Sequence, residues 1–253
     1  MELGLKGKNA IVTGGATGLG KQFVLALAKE GVHVAFTYYS ENEHPEETEK
    51  LIAAETNVRA YGIQSDLSQE AGCRDFFKQA KEKLSQIDIL VNNAGIWLTG
   101  RVDEIKVKDW DRQLETNLRA PFILCQEFIR DANTMKHGGH IINITSQAAY
   151  YGSTTGHSHY AASKAGLIAF AASLAREQAQ NGINVINLCI GIMHTRMIQA
   201  NLDKDPNYYV NRIPMGRVVE PEEVAKMGTL FASDVYSYMT GATVDVTGGM
   251  LMH

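Results

Sequence analysis

A single-domain, doubly wound α/β fold, a parallel sheet covered by helices on both faces, is what this sequence predicts. Three observations carry the prediction. Short apolar runs alternate with segments of helical periodicity along the whole chain. The strand-like runs are apolar at nearly every position rather than at every second one, as parallel strands buried on both faces require. No linker rich in Pro, Gly or Ser, no repeat and no low-complexity segment divides residues 1–253. Right-handed crossovers between the runs then wind the sheet both ways.

The elements follow in order. Residues 9–13 read as a buried strand. Residues 18–30 place Leu19, Phe23, Leu27 and Ala28 at helical spacing. A strand follows at 32–37, then a charged helix at 45–56 that opens with Pro45, whose missing N–H is harmless in a first turn. A strand at 58–64, a helix at 69–84 and a strand at 87–91 complete the first half. Residues 107–135 read as a helix kinked or interrupted at Pro121. A strand at 140–145, a long amphipathic helix at 160–181, a strand at 183–188, a helix at 221–233 and a short strand at 242–246 end the pattern. The stretch 195–214 is polar and weakly patterned, which suits a lid over a site or an ordinary surface excursion.

The formal net charge is −4, and no Lys/Arg run offers the basic stripe that nucleic-acid binding needs. Cys73, Cys125 and Cys189 are far apart and lack metal-ligand spacing; they suit a reducing compartment and packing as small apolar groups. The charged N-terminus is not a secretory signal. The longest apolar stretch, 165–175, is bounded by Lys164 and Arg176 and is too short to span a bilayer. A cytoplasmic protein with no membrane or nucleic-acid partner is expected.

Four motifs carry chemistry. Thr13-Gly14-Gly15-Ala16-Thr17-Gly18-Leu19-Gly20 joins the first strand to the first helix. Glycines there let the backbone approach a pyrophosphate, and the helix N-terminus offers free N–H groups and partial positive charge. No Gly-Lys-Ser/Thr ending points to triphosphate hydrolysis. Tyr160 and Lys164 stand at i and i+4, so an ammonium lies on the same helix face as a phenol. A nearby positive charge favours the phenolate, and a tuned tyrosine can serve carbonyl/alcohol interconversion as acid or base. Ser146 ends the fifth strand, where this architecture puts active groups. Asn92-Asn93-Ala94-Gly95 ends the fourth.

Together these motifs, in this order and across essentially the whole chain, resemble the short-chain dehydrogenase/reductase family, and most of all its 3-oxoacyl-[acyl-carrier-protein] reductases. The resemblance implies a Rossmann-like domain with a seven-stranded parallel sheet and hydride transfer with NAD(H) or NADP(H). It implies a catalytic set of Asn117, Ser146, Tyr160 and Lys164. Tyr160 would be the acid/base, Ser146 would polarise the carbonyl, Lys164 would lower the Tyr160 pKa and hold the ribose, and Asn117 would support a water relay. It assigns the cofactor to Gly14, Thr17, Gly18, Leu19 and Gly20; to Tyr38, Tyr39 and Ser40; to Asp66 and Leu67; to Asn93, Ala94 and Gly95; to Tyr160 and Lys164; and to Gly191, Ile192 and Thr195. Ile190 stands where the family has proline, a departure expected to loosen that turn. No metal is implied; His157 and His159 lack a third ligand in view.

An acidic residue after the second strand would bind the ribose 2′-OH and select NAD. Tyr38 occupies that slot, which favours NADP(H); Glu41 and Glu43 follow closely and leave NAD(H) open. The expected partner is a small carbonyl or alcohol, free or on an acyl carrier. Lys136-His137-Gly138-Gly139-His140 and Glu177-Gln178-Ala179-Gln180-Asn181 make a weak dock for an acidic carrier. Glucose or polyol oxidation is the alternative, and a non-catalytic nucleotide-binding regulator a further one. The segment 150–159, which joins Ser146 to Tyr160, is expected to line the substrate cleft, with Trp97 as a wall or a packing residue. The family resemblance also implies a homotetramer, and the apolar tail 250–253 is compatible with an interface.

Overall fold

The computed structural model describes residues 2–152, 156–205 and 207–252. Its centre is one sheet of seven parallel strands in the order β3-β2-β1-β4-β5-β6-β7. The strands are β1 Asn9–Val12, β2 His33–Tyr38, β3 Ala60–Gln64, β4 Ile89–Asn92, β5 Gly139–Ser146, β6 Ile183–Ile190 and β7 Thr243–Val246. The order reverses between β1 and β4, which opens a crevice beyond their carboxyl ends.

Alternation along each strand sends side chains to two cores. On one face Ala10, Val12, Phe36, Val91, Ile144 and Leu188 pack against α1 (Gly18–Lys29) and α10 (Pro221–Phe231). On the other, Ile11, Leu90, Ile141 and Val185 meet α3 (Glu70–Leu84), α5 (Ala120–Met135) and α7 (Ser158–Gln178). Helices α2 (Pro45–Glu55), α4 (Val107–Leu114), α6 (Ala148–Tyr151), α8 (Arg196–Lys204) and α9 (Asn207–Val210) complete the set. The weakly patterned stretch at 195–214 thus holds two short helices. No helix among the described residues is long and apolar enough to cross a membrane.

The helix expected over 107–135 is divided. Glu115–Arg119 forms a π turn between α4 and α5, and the Ala120 N–H reaches back to the Glu115 carbonyl. Pro121, in the first turn of α5, has no N–H to give the Asn117 carbonyl four residues back, so an α pattern cannot run through it. Inside the apolar strands lies a polar row. Asn92, Asn143, Asn187 and Thr243 are register neighbours on four strands, joined by side-chain hydrogen bonds of 2.9, 3.1 and 3.1 Å. The three asparagines are buried; each Nδ2 in the row donates to its neighbour, which offsets much of the cost of burial, while Asn92 Oδ1 has no hydrogen-bond partner among the described residues.

Candidate active site

The glycine turn is held by its neighbours. The Gly14 N–H donates to Thr37 Oγ1 at 2.7 Å, and the Gly15 N–H to the Thr37 carbonyl at 2.8 Å. From β4, the N–H groups of Asn93 and Ala94 both donate to Thr13 Oγ1 at 2.9 Å, and Asn93 Nδ2 donates to the Thr13 carbonyl at 2.8 Å. Gly14 has φ +64°, and a β-carbon at Gly20 would collide with the Gly14 carbonyl. Backbone therefore approaches backbone where the turn enters α1. No side chain caps that helix, and its first turn carries no acid. A glycine-rich turn leading into a helix N-terminus that no side chain caps suits a pyrophosphate.

At the far end of the crevice, Tyr39, Ser40, Glu41, Gln64, Ser65 and Asp66 line an open pocket at the carboxyl ends of β2 and β3. Tyr38 donates its hydroxyl to Glu41 at 3.1 Å; burial first, and then that bond, raise its pKa. Glu43 Oε1 accepts the N–H groups of Tyr39 and Ser40, each at 3.2 Å. Asp66 accepts from the Ser68 N–H at 3.0 Å and hydroxyl at 2.7 Å, while Leu67 is buried beneath it.

Ser146 is the last residue of β5, and Tyr160 lies in the first turn of α7, which starts at Ser158 rather than at the tyrosine. Their side chains are hydrogen-bonded to each other. Lys164 is buried one turn on, its Nζ 5.9 Å from the Tyr160 ring centroid and donating to the Ile144 carbonyl at 2.7 Å. The titration of this pair departs from the expectation. Burial raises the Tyr160 pKa, and the Ser146 bond works against that rise. Lys164 falls to about 8 because it too is buried. Desolvation is the largest cause of both shifts.

Asn117 lies in the π turn, fully buried. Its Oδ1 accepts the Ile96 N–H at 2.9 Å; its Nδ2 donates to the Ile96 carbonyl at 3.0 Å and to Ser163 Oγ at 3.2 Å. All its amide atoms are thus engaged in bracing the loop after β4. The Asn117 backbone carbonyl lacks the usual helical donor, because Pro121 has no N–H. Gly95 sits between Asn117 and Lys164; a β-carbon there would lie 3.3 Å from Asn117 Oδ1 and 3.7 Å from Lys164 Nζ.

Gly191 follows β6, its N–H donating to the Val246 carbonyl at 3.0 Å, and a β-carbon on it would strike the Thr247 backbone. The Ile192 carbonyl accepts from Val219 at 3.2 Å, and the Thr195 carbonyl from Ile198 at 3.1 Å. Ile190 does not loosen this turn. It is buried, pairs in register with Ser146 and Val246, and its carbonyl accepts the Gln147 N–H at 3.1 Å. Isoleucine keeps the N–H that proline would lack, so the strand runs on to the glycine.

The family model described as enoyl-(acyl carrier protein) reductase matches residues 14–251. A 3-oxoacyl-[acyl-carrier-protein] reductase of Aquifex aeolicus is 34% identical over 250 residues, 99% of this chain and 100% of that one. The chain belongs to the short-chain dehydrogenase/reductase family. Solved structures agree. A blue fluorescent protein from a metagenomic library, in complex with NADPH, superposes with a TM-score of 0.90 at 33% identity, over 98% of this chain and 99% of that one. An Agrobacterium tumefaciens protein assigned as a 2-deoxy-D-gluconate 3-dehydrogenase, with bound NADP, does so at 0.88 and 30%, over 98% of each. As a member of this family, the protein is an NAD(P)(H)-dependent oxidoreductase interconverting a carbonyl and a secondary alcohol.

Several residues that shape this short-chain dehydrogenase/reductase site were not singled out in sequence. Gln113 is buried; its Oε1 accepts the Leu98 N–H at 2.9 Å and its Nε2 donates to the Ile96 carbonyl at 2.5 Å. Its spacing of four from Asn117 was the available signal. Ser163 links Asn117 to the Tyr160 carbonyl, which it reaches at 2.7 Å. The Tyr151 hydroxyl donates to the Met250 carbonyl, and Gln147 Nε2 reaches Met250 Sδ at 3.7 Å, so the C-terminal tail is held beside Ser146. Part of the segment at 150–159 lies outside the described residues; His157, within them, faces the rings of Trp97 and Tyr160.

Proposed function

We propose that this enzyme is an NADP(H)-dependent ketone reductase acting on 3-oxoacyl-type substrates, with Tyr160 as its proton donor. The observation that carries the reading is the Ser146–Tyr160 hydrogen bond at the carboxyl edge of the sheet, with Lys164 one turn behind. The nicotinamide, when bound, supplies the hydride. Ser146 then holds and polarises the substrate oxygen, Tyr160 protonates it, and Lys164 renews that proton through a water relay that Asn117 supports.

Gly14, Thr17, Gly18, Leu19 and Gly20 would hold the pyrophosphate, Asp66 and Leu67 the adenine, and Asn93, Ala94 and Gly95 the middle of the crevice. Gly191, Ile192 and Thr195 would meet the carboxamide. Tyr38, Tyr39 and Ser40 would face the 2′-phosphate. NADP(H) is supported by Tyr38 in the acidic slot and by the NADPH and NADP in the related structures. Helices α8 and α9 would form a lid over the cleft.

The test titrates NADPH and NADH separately and assays ketone reduction with wild type and Tyr160→Phe. Tight NADPH binding, weak NADH binding and a variant that binds but does not turn over are expected. Preference for NADH would overturn the cofactor choice, and binding of neither would overturn the whole reading. Oxidation of glucose or another polyol is a second reading. The weakly basic segments at 136–140 and 177–181 favour it over a carrier-bound substrate, as does the likeness to the Agrobacterium protein.

A cytoplasmic homotetramer completes the proposal. Leu114, Leu118, Phe122 and Phe170 line an apolar groove on α4, α5 and α7, while Val235 and Tyr238 stand exposed near edge strand β7. Light scattering should find four copies; a monomer would overturn this.

A further inference from the structure

Two loops meet above the candidate active site. Gly100, in the loop after β4, pairs with His157, in the loop entering α7, as an isolated parallel bridge. The Gly100 N–H donates to the Gly156 carbonyl at 2.7 Å. Gly156 has φ +83°, and a β-carbon on it would come within 3.0 Å of the Gly100 carbonyl, so this junction takes no side chain.

The junction brings distant rings together. Trp97 and His157 lie 5.2 Å apart, centroid to centroid, edge to face at 67°. His157 and Tyr160 follow at 6.5 Å and 77°. The three rings form a file that ends at the hydroxyl bonded to Ser146. Trp97 and His157 are half-buried, so each keeps an open surface. The loop beneath Trp97 is rigid: Ile96 is bonded to both Asn117 and Gln113, and Leu98 to Gln113.

The two loop segments themselves carry no formal charge, although Arg101 follows Gly100 and Asp109 acts on His159. Neither 92–100 nor 144–160 contains an Asp, Glu, Lys or Arg. His157 itself is held below the ordinary histidine range by burial and then by His159, which keeps it neutral at pH 7. An uncharged aromatic wall gives an anionic substituent no counter-ion. It gives a flat aromatic one edge-to-face and stacking contacts that a saturated ring of similar bulk cannot match.

We propose that Trp97 and His157 are the specificity-determining wall of the substrate seat, and that the site prefers ketones bearing a flat aromatic substituent on the carbonyl carbon. The inference rests on Tyr160 as proton donor, as proposed above, and adds the substrate class.

The test compares ethyl 3-oxo-3-phenylpropanoate with ethyl 3-cyclohexyl-3-oxopropanoate, which share the reacting ketone and differ in flatness. The wild type should favour the phenyl ester by about tenfold in kcat/KM. Trp97→Ala and His157→Ala should bring that ratio near one, the phenyl rate falling by several-fold more than the cyclohexyl rate. Trp97→Leu, which keeps apolar bulk without a ring, should lose the preference as fully. Equal use of the two esters by the wild type, or a parallel loss of both in the variants, would overturn the wall.

A binding measurement separates this from the parent reading. Trp97 and Trp110 are the two tryptophans, so Trp110→Phe leaves Trp97 as the reporter. The phenyl ester should quench its fluorescence and the cyclohexyl ester should not. Quenching without turnover of either ester supports the wall and sinks the reductase reading. No quenching, with or without turnover, overturns the wall.

Discussion

The two halves of the crevice are built on opposite principles. The half around β1, β2 and β4 works by omission. Glycines at 14 and 20 let backbone meet backbone, and one hydroxyl, Thr13 Oγ1, gathers two N–H groups of the neighbouring strand end. The half around β5 and α7 works by side chains brought from far apart. Trp97 meets His157, Gln113 and Asn117 hold Ile96, and Tyr151 holds Met250. A site that must accept a chain-independent group such as a pyrophosphate needs space and backbone donors. A site that must choose among substrates needs shaped side chains, and their supports can lie anywhere in the sequence.

Substitutions can sharpen that contrast. The largest effect belongs to the substrate half. Tyr160→Phe should lower kcat by about 10²–10⁴, the usual worth of a positioned general acid. NADPH affinity should stay near wild type, as a fluorescence titration would register. The reverse pattern is expected in the cofactor half. Gly20→Ala forces a β-carbon into the Gly14 carbonyl, which must shift at about 1–3 kcal/mol. NADPH affinity should fall at least tenfold, whereas the Ser146–Tyr160 pair should stay in place.

A smaller effect comes from the brace. Gln113→Leu leaves the Leu98 N–H without its side-chain partner and the Ile96 carbonyl with Asn117 as its side-chain donor, and should cost about 1–3 kcal/mol of stability. If Gln113 supports the substrate wall alone, denaturant melts should show that loss while cofactor affinity stays within twofold or so. A comparable loss of cofactor affinity would mean that the two halves are coupled through Ile96.

The smallest prediction concerns pH and lies outside both halves. Burial lowers the pKa of His140 below its ordinary 6.5, although its bond to Asp234 at 2.9 Å opposes the shift. The unfolded chain therefore takes up this proton more readily than the folded one. The associated stability is present above pH 6.5 and is lost as pH falls through the lowered folded value. His33, His157 and His159 are lowered in the same sense. Tm should drop between pH 7 and pH 5.5, and less steeply in His140→Asn; equal slopes would remove His140 from the account.

The sequence by itself determined the alternation of strands and helices, the parallel sheet and the position of each motif at a strand end. Those features arise from local periodicity and from residues, glycine and proline above all, whose backbone limits act where they stand. Pro121 was legible as an interruption for that reason. Tertiary structure alone decided three things. It turned the break at Pro121 into a π turn that buries Asn117 against Ile96. It joined Asn92, Asn143, Asn187 and Thr243 into one row, since parallel register is set by the whole sheet and not by any single strand. And it gave Tyr160 surroundings whose desolvation raises its pKa, because desolvation depends on everything packed around a group, which spacing along a helix cannot report.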